Sequence, residues 1–339
     1  MFFVTPPFFY FDNRLDNMSK SILVIGNGFD LDLGLKTKYS DFAKSGFWPK
    51  VNYNSLPIIS DGCILDLGDE PHNISMTDYI ETIRNFVLED KTWFDLENEL
   101  LNFAAGYAFN NTFSTANEDK IYFNNLRLGL HKFIEQEQKK TSARIDVDSC
   151  AANVLKANCF DMVYSFNYTD INQFGKFLGL SQDIQCHHLH GDLSNNSIIL
   201  GVNETKLAPG YAWLHKTSSR HYPSHDVYNT LKDANDIIFF GLSFGSIDFI
   251  YFKKFFQELS SGNAIEENSK QNITIVTKND DSQSEIKDRI REMDVDVQRL
   301  FEQSHLEFII TDEMNDHIKL DDILFSLKNR MMMKRMGIK

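Results

Sequence analysis

A short aliphatic run, Ile22-Leu-Val-Ile25, passes straight into Gly26-Asn27-Gly28-Phe29-Asp30, and this junction limits the folds open to the chain more than any other stretch. Four aliphatic residues with no polar alternation suit a strand buried on both faces, as in a parallel sheet covered by helices on each side. Two glycines one residue apart then permit a tight turn that brings backbone N–H groups against a phosphate. The turn departs from the G-x-G-x-x-G dinucleotide fingerprint, because Leu31 stands at the third glycine position and the next glycine is Gly34. An acid at Asp30, inside the loop, would repel a phosphate, so it is expected to accept from a ribose hydroxyl or from nearby backbone.

The rest of the chain supports a layered α/β reading. Residues 161–166, 184–188, 198–202, 236–240, 273–277 and 306–310 read as strands, with helices at 169–178, 227–233, 247–260, 282–293, 297–302 and from 318. Between the first strand and this alternation, residues 46–74 are loop-like, with Pro49, Pro57 and Pro71. Residues 76–90, 93–109 and 117–140 carry apolar side chains at helical steps. The expected architecture is a Rossmann-like parallel sheet with helices on both faces and a helical insertion. Residues 18–45 and 150–325 form the nucleotide-binding core and 46–149 the insertion, a lid or assembly surface. Residues 1–17 are a dispensable extension and 326–339 a basic tail. The acids of Trp93-Phe-Asp95-Leu-Glu97 sit near a helix start, where they complement the helix dipole.

Composition narrows the partners. With 339 residues and a net charge of −14, the chain offers no overall attraction to nucleic acid or anionic lipid, which require Lys and Arg. Cys63, Cys150, Cys159 and Cys186 include no C-x-x-C pair, so neither a zinc ribbon nor a disulfide framework is suggested, and a reducing cytoplasm is expected. The apolar start, Met1 to Phe11, lacks a positive flank, a cleavage site and the length to span a bilayer.

Four loops that follow strands carry the chemistry. The first is the glycine turn. In the second, Ser165-Phe166-Asn167-Tyr168-Thr169-Asp170, Asn167 can hold a water or a sugar hydroxyl, while Thr169 or Asp170 caps the next helix. The third, His187-His188-Leu189-His190-Gly191, offers proton transfer near neutral pH at His190. A metal on His188 and His190 is the rival, but no third ligand is apparent and none is expected. In the fourth, Gly241-Leu-Ser243-Phe-Gly245-Ser246-Ile-Asp248, glycines allow close approach and hydroxyls offer contacts. Asp248 is either a first-turn acid or a ligand contact.

These loops in this order resemble the AbiH family of bacterial abortive-infection proteins, through Gly26-Asn-Gly-Phe-Asp30, Gly34-Leu-x-Thr37-x-Tyr39-x-Asp-Phe42, Ser165-Phe-Asn-Tyr-Thr169, His188-Leu-His-Gly191 and Gly241-x-Ser-x-x-x-x-Asp248. Trp93-x-Asp-x-Glu97 also looks like the family's pattern, which raises the interest of Glu97. More remotely, the order is similar to the sirtuin-like NAD-binding fold. That resemblance implies that Asn167 orients ribose or water and that His190 accepts a proton. It also implies that Gly26, Asn27, Gly28, Phe29, Asp30 and Thr37 cradle NAD while Gly241, Ser243 and Asp248 close on its other end. The sirtuin four-cysteine zinc module is missing, which disfavours protein deacylation. The implied activity is hydrolysis of NAD at the nicotinamide–ribose bond during phage infection, with a phage-derived trigger and a homo-oligomer as expected partners. The rivals are a nucleotide sensor or partner-binding protein without turnover, and a nuclease.

Overall fold

The computed structural model describes residues 20–50, 74–90, 95–194, 197–223, 226–262 and 270–336. Six strands form one parallel sheet: β1 (Ser21–Ile25), β2 (Met162–Ser165), β3 (Cys186–His188), β4 (Asp236–Phe240), β5 (Asn272–Thr277) and β6 (His305–Ile310). Their order is β3-β2-β1-β4-β5-β6. This doubly wound order reverses between β1 and β4, and ligands on such sheets sit in the crevice at that switch point, outside the carboxyl ends of the strands.

Alternate residues of the strands feed the two faces. Ile22, Val24, Ile237 and Phe239 pack with α10 (Phe249–Ser261), α11 (Asp280–Glu292) and α12 (Val297–Gln303). Leu23, Ile25, Ile238 and Phe240 pack with α1 (Asn27–Asp32), α7 (Cys150–Ala157), α8 (Ile171–Phe177) and α13 (Met314–Arg335). The short α9 (Val227–Lys232) leads into β4. Burial on both sides explains why the strands read as unbroken apolar runs.

A third apolar cluster lies in the helical layer of α2 (Tyr39–Ala43), α3 (Met76–Asp90), α4 (Leu96–Ala105) and α5 (Phe113–Lys139), followed by the short α6 (Thr141–Arg144). Phe42, Ile80, Leu100, Phe103 and Leu126 are its buried centre. It also takes in Ile198, Leu200, Val202, Tyr211 and Leu214, which come from the far side of β3 in sequence.

Four expectations change. The run 198–202 is not a strand: only a single bridge, Val202 to His215, forms there, and its apolar residues face the helical layer instead of a sheet neighbour. The glycine loop is a strand-to-helix turn, with α1 starting at Asn27, so Asp30 lies on a helix and not in a loop. α5 starts earlier than the apolar period suggests, because the Thr112 hydroxyl caps it by accepting from Thr115 N at 3.2 Å. α13 starts at Met314, ahead of the expected start at 318, and runs on to Arg335. The N-terminal extension, Trp93, Pro57 and Pro71 lie outside the described residues.

The two turns at the switch point are packed backbone to backbone. Gly26 N donates to Phe240 O and Gly28 N to Gly241 O, both at 2.9 Å. A Cβ on Gly28 would meet Gly241 Cα at 2.6 Å, and one on Gly26 would meet Gly241 O at 2.8 Å. Gly241 has φ +65°, and its Cβ would lie 2.3 Å from Phe29 N. Gly28→Ala must therefore push two β-strand ends apart, a destabilisation of about 2–3 kcal/mol by the usual cost of overpacking. Gly46→Ala, with nothing within 4 Å of the added methyl, is the control and stays within about 0.5 kcal/mol. Urea denaturation of the two variants measures the difference.

Candidate functional site

The glycine turn and the loop after β2 are joined by a buried hydrogen-bond cluster. Asn167 Nδ2 donates to Gly26 O at 2.9 Å and to Asp30 Oδ1 at 2.8 Å, and Thr169 Oγ1 donates to Asp30 Oδ2 at 2.9 Å. Both amide hydrogens of Asn167 are thereby used, which leaves Oδ1 as the side-chain atom with acceptor capacity toward a ligand. Burial pushes the Asp30 carboxyl up to about 7, although the hydrogen bonds from Thr169 and Asn167 work in the other direction. Asp30 thus braces Asn167 and Thr169 from within the fold. Thr169 serves that brace, while the expected helix cap falls to Asp170, whose carboxylate accepts from Asn172 N at 2.9 Å.

Other members of the expected cradle are also committed elsewhere. Phe29 is fully buried and packs edge-on against Phe240, with ring centroids 5.1 Å apart, so its side chain is part of the core. Gly26 and Gly28 give their open side to Gly241. Thr37 is buried and donates to Asn27 Oδ1 at 2.6 Å, so it holds the exposed Asn27 side chain. Ser243 is exposed on the loop after β4.

A second cluster sits at the ends of β3 and β4 beneath the helical layer. His190 follows β3, is 5% exposed, and stands edge-on to Phe166 at 5.2 Å. Its Nε2 lies 3.0 Å from Lys216 Nζ and 3.4 Å from Asp248 Oδ1. Lys216 Nζ also meets Glu97 Oε2 at 3.0 Å, and the Lys216 side chain is 1% exposed. Glu97 Oε1 accepts from Gly201 N at 3.3 Å. Glu97 is set there by α4, whose first turn is capped by Asp95 Oδ1 accepting from Glu97 N and Asn98 N. Lys216 is set by backbone pairing of its own N with Val202 O at 2.7 Å.

The chemistry of this cluster turns on one nitrogen. A neutral His190 Nε2 accepts from the Lys216 ammonium, whereas a protonated Nε2 faces Asp248 as an ion pair. It cannot do both, so the geometry offers a proton two alternative neighbours. Burial alone would raise the Asp248 carboxyl, but the hydrogen bond and charge of His190, with the Lys216 charge, bring it below the ordinary carboxylate range. Oδ1 of Asp248 is enclosed and has no aligned hydrogen-bond partner among the described residues, although 20% of the side chain remains exposed. Asp95 is pushed up to about 6, by burial first and by the neighbouring Glu97 charge second. Tyr168 and Tyr39 line the same space, with their hydroxyls 3.4 Å apart. His188 turns the other way: its Nδ1 lies 2.9 Å from Asn167 O, a structural role. Among the described residues no group of three or more His, Cys, Asp or Glu is placed to hold a metal ion.

Asn167 and His190 therefore stand on adjacent loops at the carboxyl edge, and Asp248 joins His190. Lys216 had no signal in the sequence, since it lies in an irregular segment with no period or motif. Glu97 had one, in its spacing from Asp95 at a helix start.

The fold and site define a doubly wound α/β protein with a helical layer that reaches the carboxyl edge of the sheet through Glu97. The family model described as bacteriophage abortive infection AbiH matches residues 22–268, and the chain belongs to that family. No curated protein matches the chain. Among the described residues no helix is long and apolar enough to cross a membrane.

Two measurements test the site's energetics. Lys216→Met strands Glu97 in the interior and should cost about 3 kcal/mol, the scale for breaking a buried pair. Glu97→Gln placed with it should recover part of the loss, with a coupling of roughly 1 kcal/mol or more in a double-mutant cycle. Asp30 gives a pH signature. Its folded carboxyl holds a proton up to about 7, while the unfolded chain releases it near the ordinary carboxylate value of 3.8. The folded state binds more protons in that window, so Asp30 makes stability fall as pH rises from about 4 to 7. Asp30→Asn should flatten that decline in urea titrations, leaving the smaller share from Asp95 and Asp119, each raised to about 6.

Proposed function

We propose that this chain is an anti-phage abortive-infection enzyme that hydrolyses the nicotinamide–ribose bond of NAD. The observation that carries the reading is the convergence of His190, Asp248 and the Lys216–Glu97 pair at the carboxyl edge of a doubly wound sheet. Membership of the AbiH family supports the defence role, and the order of the loops, similar to the sirtuin-like fold, supports the choice of dinucleotide.

In this scheme a water oxygen attacks C1′ of the ribose while the C1′–N bond breaks, and the bonding electrons leave with neutral nicotinamide. The water proton passes to Nε2 of His190, which Lys216 gives up as the substrate enters. Asp248 then faces the imidazolium. The acids Asp248, Glu97 and Asp95 outnumber the Lys216 ammonium beside them, which favours the positive charge that develops on the ribosyl centre. Asn167, held by Asp30 and Gly26, presents Oδ1 to a ribose hydroxyl or to the water. Asn27 and Ser243, exposed on the turns after β1 and β4, are the nucleotide contacts that remain once the glycines are committed to each other.

Incubation of purified protein with NAD, with and without phage-infected lysate, followed by chromatography, tests this. Nicotinamide and ADP-ribose should appear together, and His190→Ala and Asn167→Ala should each slow release by about 100-fold or more, the scale of lost proton transfer or positioning. No release from wild type in either condition, or full activity in both variants, sinks the mechanism. A rise in Tm with NAD or ADP-ribose but no product would make the protein a nucleotide sensor.

A further inference from the structure

The loop that joins β4 to α10 bends through a left-handed residue that is not a glycine. Phe244 has φ +49°, a region that glycine enters freely and that is costly for a bulky side chain. Gly245 follows it at φ −60°, an ordinary conformation, and among the described residues a Cβ there would meet nothing closer than Ser243 Oγ at 3.7 Å. Glycine thus stands where the backbone asks nothing of it, and phenylalanine where the backbone is strained.

The Phe244 ring accounts for that choice. It is fully buried and wedged between sheet and helix, with its centroid 5.3 Å from Phe239 on β4 and 5.1 and 5.7 Å from Phe252 and Phe256 on α10, each contact edge-on. Burial of the ring and its edge-on contacts outweigh the backbone penalty at one residue. The wedge fixes the start of α10 against the end of β4. Gly241, at the other end of the loop, is held on Gly28 by its backbone, and Asn203 Nδ2 donates to Ile247 O.

Asp248 occupies the cap position of α10, where an aspartate ordinarily accepts from the N–H groups of the first turn. It makes no such bond. Its Oδ1 lies instead 3.4 Å from His190 Nε2, while its own N donates to Gly245 O at 2.8 Å. A carboxylate turned from its usual partners toward a histidine on another loop needs a backbone that holds it there. The loop is held at Gly241, Phe244 and Ile247, and of the three Phe244 alone keeps a strained conformation.

We infer that Phe244 is a positioning residue: its buried ring locks the left-handed turn that sets Asp248 on His190. The role rests on the reading of His190 and Asp248 as the reacting pair given above, but its first test needs no turnover.

Selective 13C labelling of aspartate follows the Asp248 carboxyl through a pH titration, the signal being assigned by its loss in Asp248→Asn. Burial raises this carboxyl and His190 and Lys216 bring it down, with Asp95, Tyr168 and Tyr251 also facing it. A loop freed from its anchor takes Asp248 away from His190 and Lys216, so the midpoint should rise in Phe244→Gly, which allows the left-handed turn without strain and removes the ring. Phe244→Leu should shift it the same way by less, and this milder variant decides the matter if the glycine variant does not fold. Phe256→Leu removes a ring from the same apolar cluster outside the loop and should leave the midpoint in place. Where wild type releases nicotinamide, both Phe244 variants should also lose about tenfold or more in kcat, the scale of a displaced catalytic group. A midpoint or a kcat indifferent to the Phe244 variants, or a midpoint moved as far by Phe256→Leu, overturns the assignment. A wild type that leaves NAD intact overturns the hydrolysis reading alone, and the titration still decides the role of Phe244.

Discussion

An ammonium group held in a protein interior must have a carboxylate within reach, because the cost of leaving it unpaired runs to several kcal/mol. Lys216 meets that condition through Glu97, and the pair joins two parts of the chain with nothing in common locally. Glu97 arrives on the first turn of α4, from the helical layer. Lys216 arrives from an irregular segment downstream of β3, folded against the same layer. Its Nζ then rests on His190, so the position of that imidazole depends on an ion pair whose members are 119 residues apart.

A second constraint works on the backbone. Gly26, Gly28 and Gly241 let the turns after β1 and β4 touch, a contact that any side chain larger than hydrogen would break. In a dinucleotide-binding turn the same freedom serves the approach of a diphosphate. Here the facing turn fills that space, and the buried Asn167 and His190 stand beside it, after β2 and β3.

What could be read in the sequence divides along the line between local and distant causes. The buried strands were legible because both of their faces are covered, so their residues are uniformly apolar. The run 198–202 looked the same, yet its apolar residues answer to the helical layer, a distinction that composition cannot make. Asn167, His190 and Asp248 were legible as polar residues at strand ends, where α/β sheets place their ligands. The role of Asp30 was not, because an acid after a glycine turn has the same letter whether it faces solvent or braces an asparagine from below. Lys216 was invisible, since only tertiary packing gives an isolated lysine a reason to be buried.

The dependence of Lys216 on Glu97 also bears on how such a chain can be rearranged. Its place in the chain, between β1 and β2, would make the inserted layer a module separable from the sheet. In this molecule the segment 198–216 supplies part of that layer's apolar core and the cation that neutralises its acid, although it lies beyond β3 in the chain. A crossover that swapped 46–149 alone would bring in a foreign roof without the strap it closes on. The two stretches form one packing unit, split in sequence and joined in space.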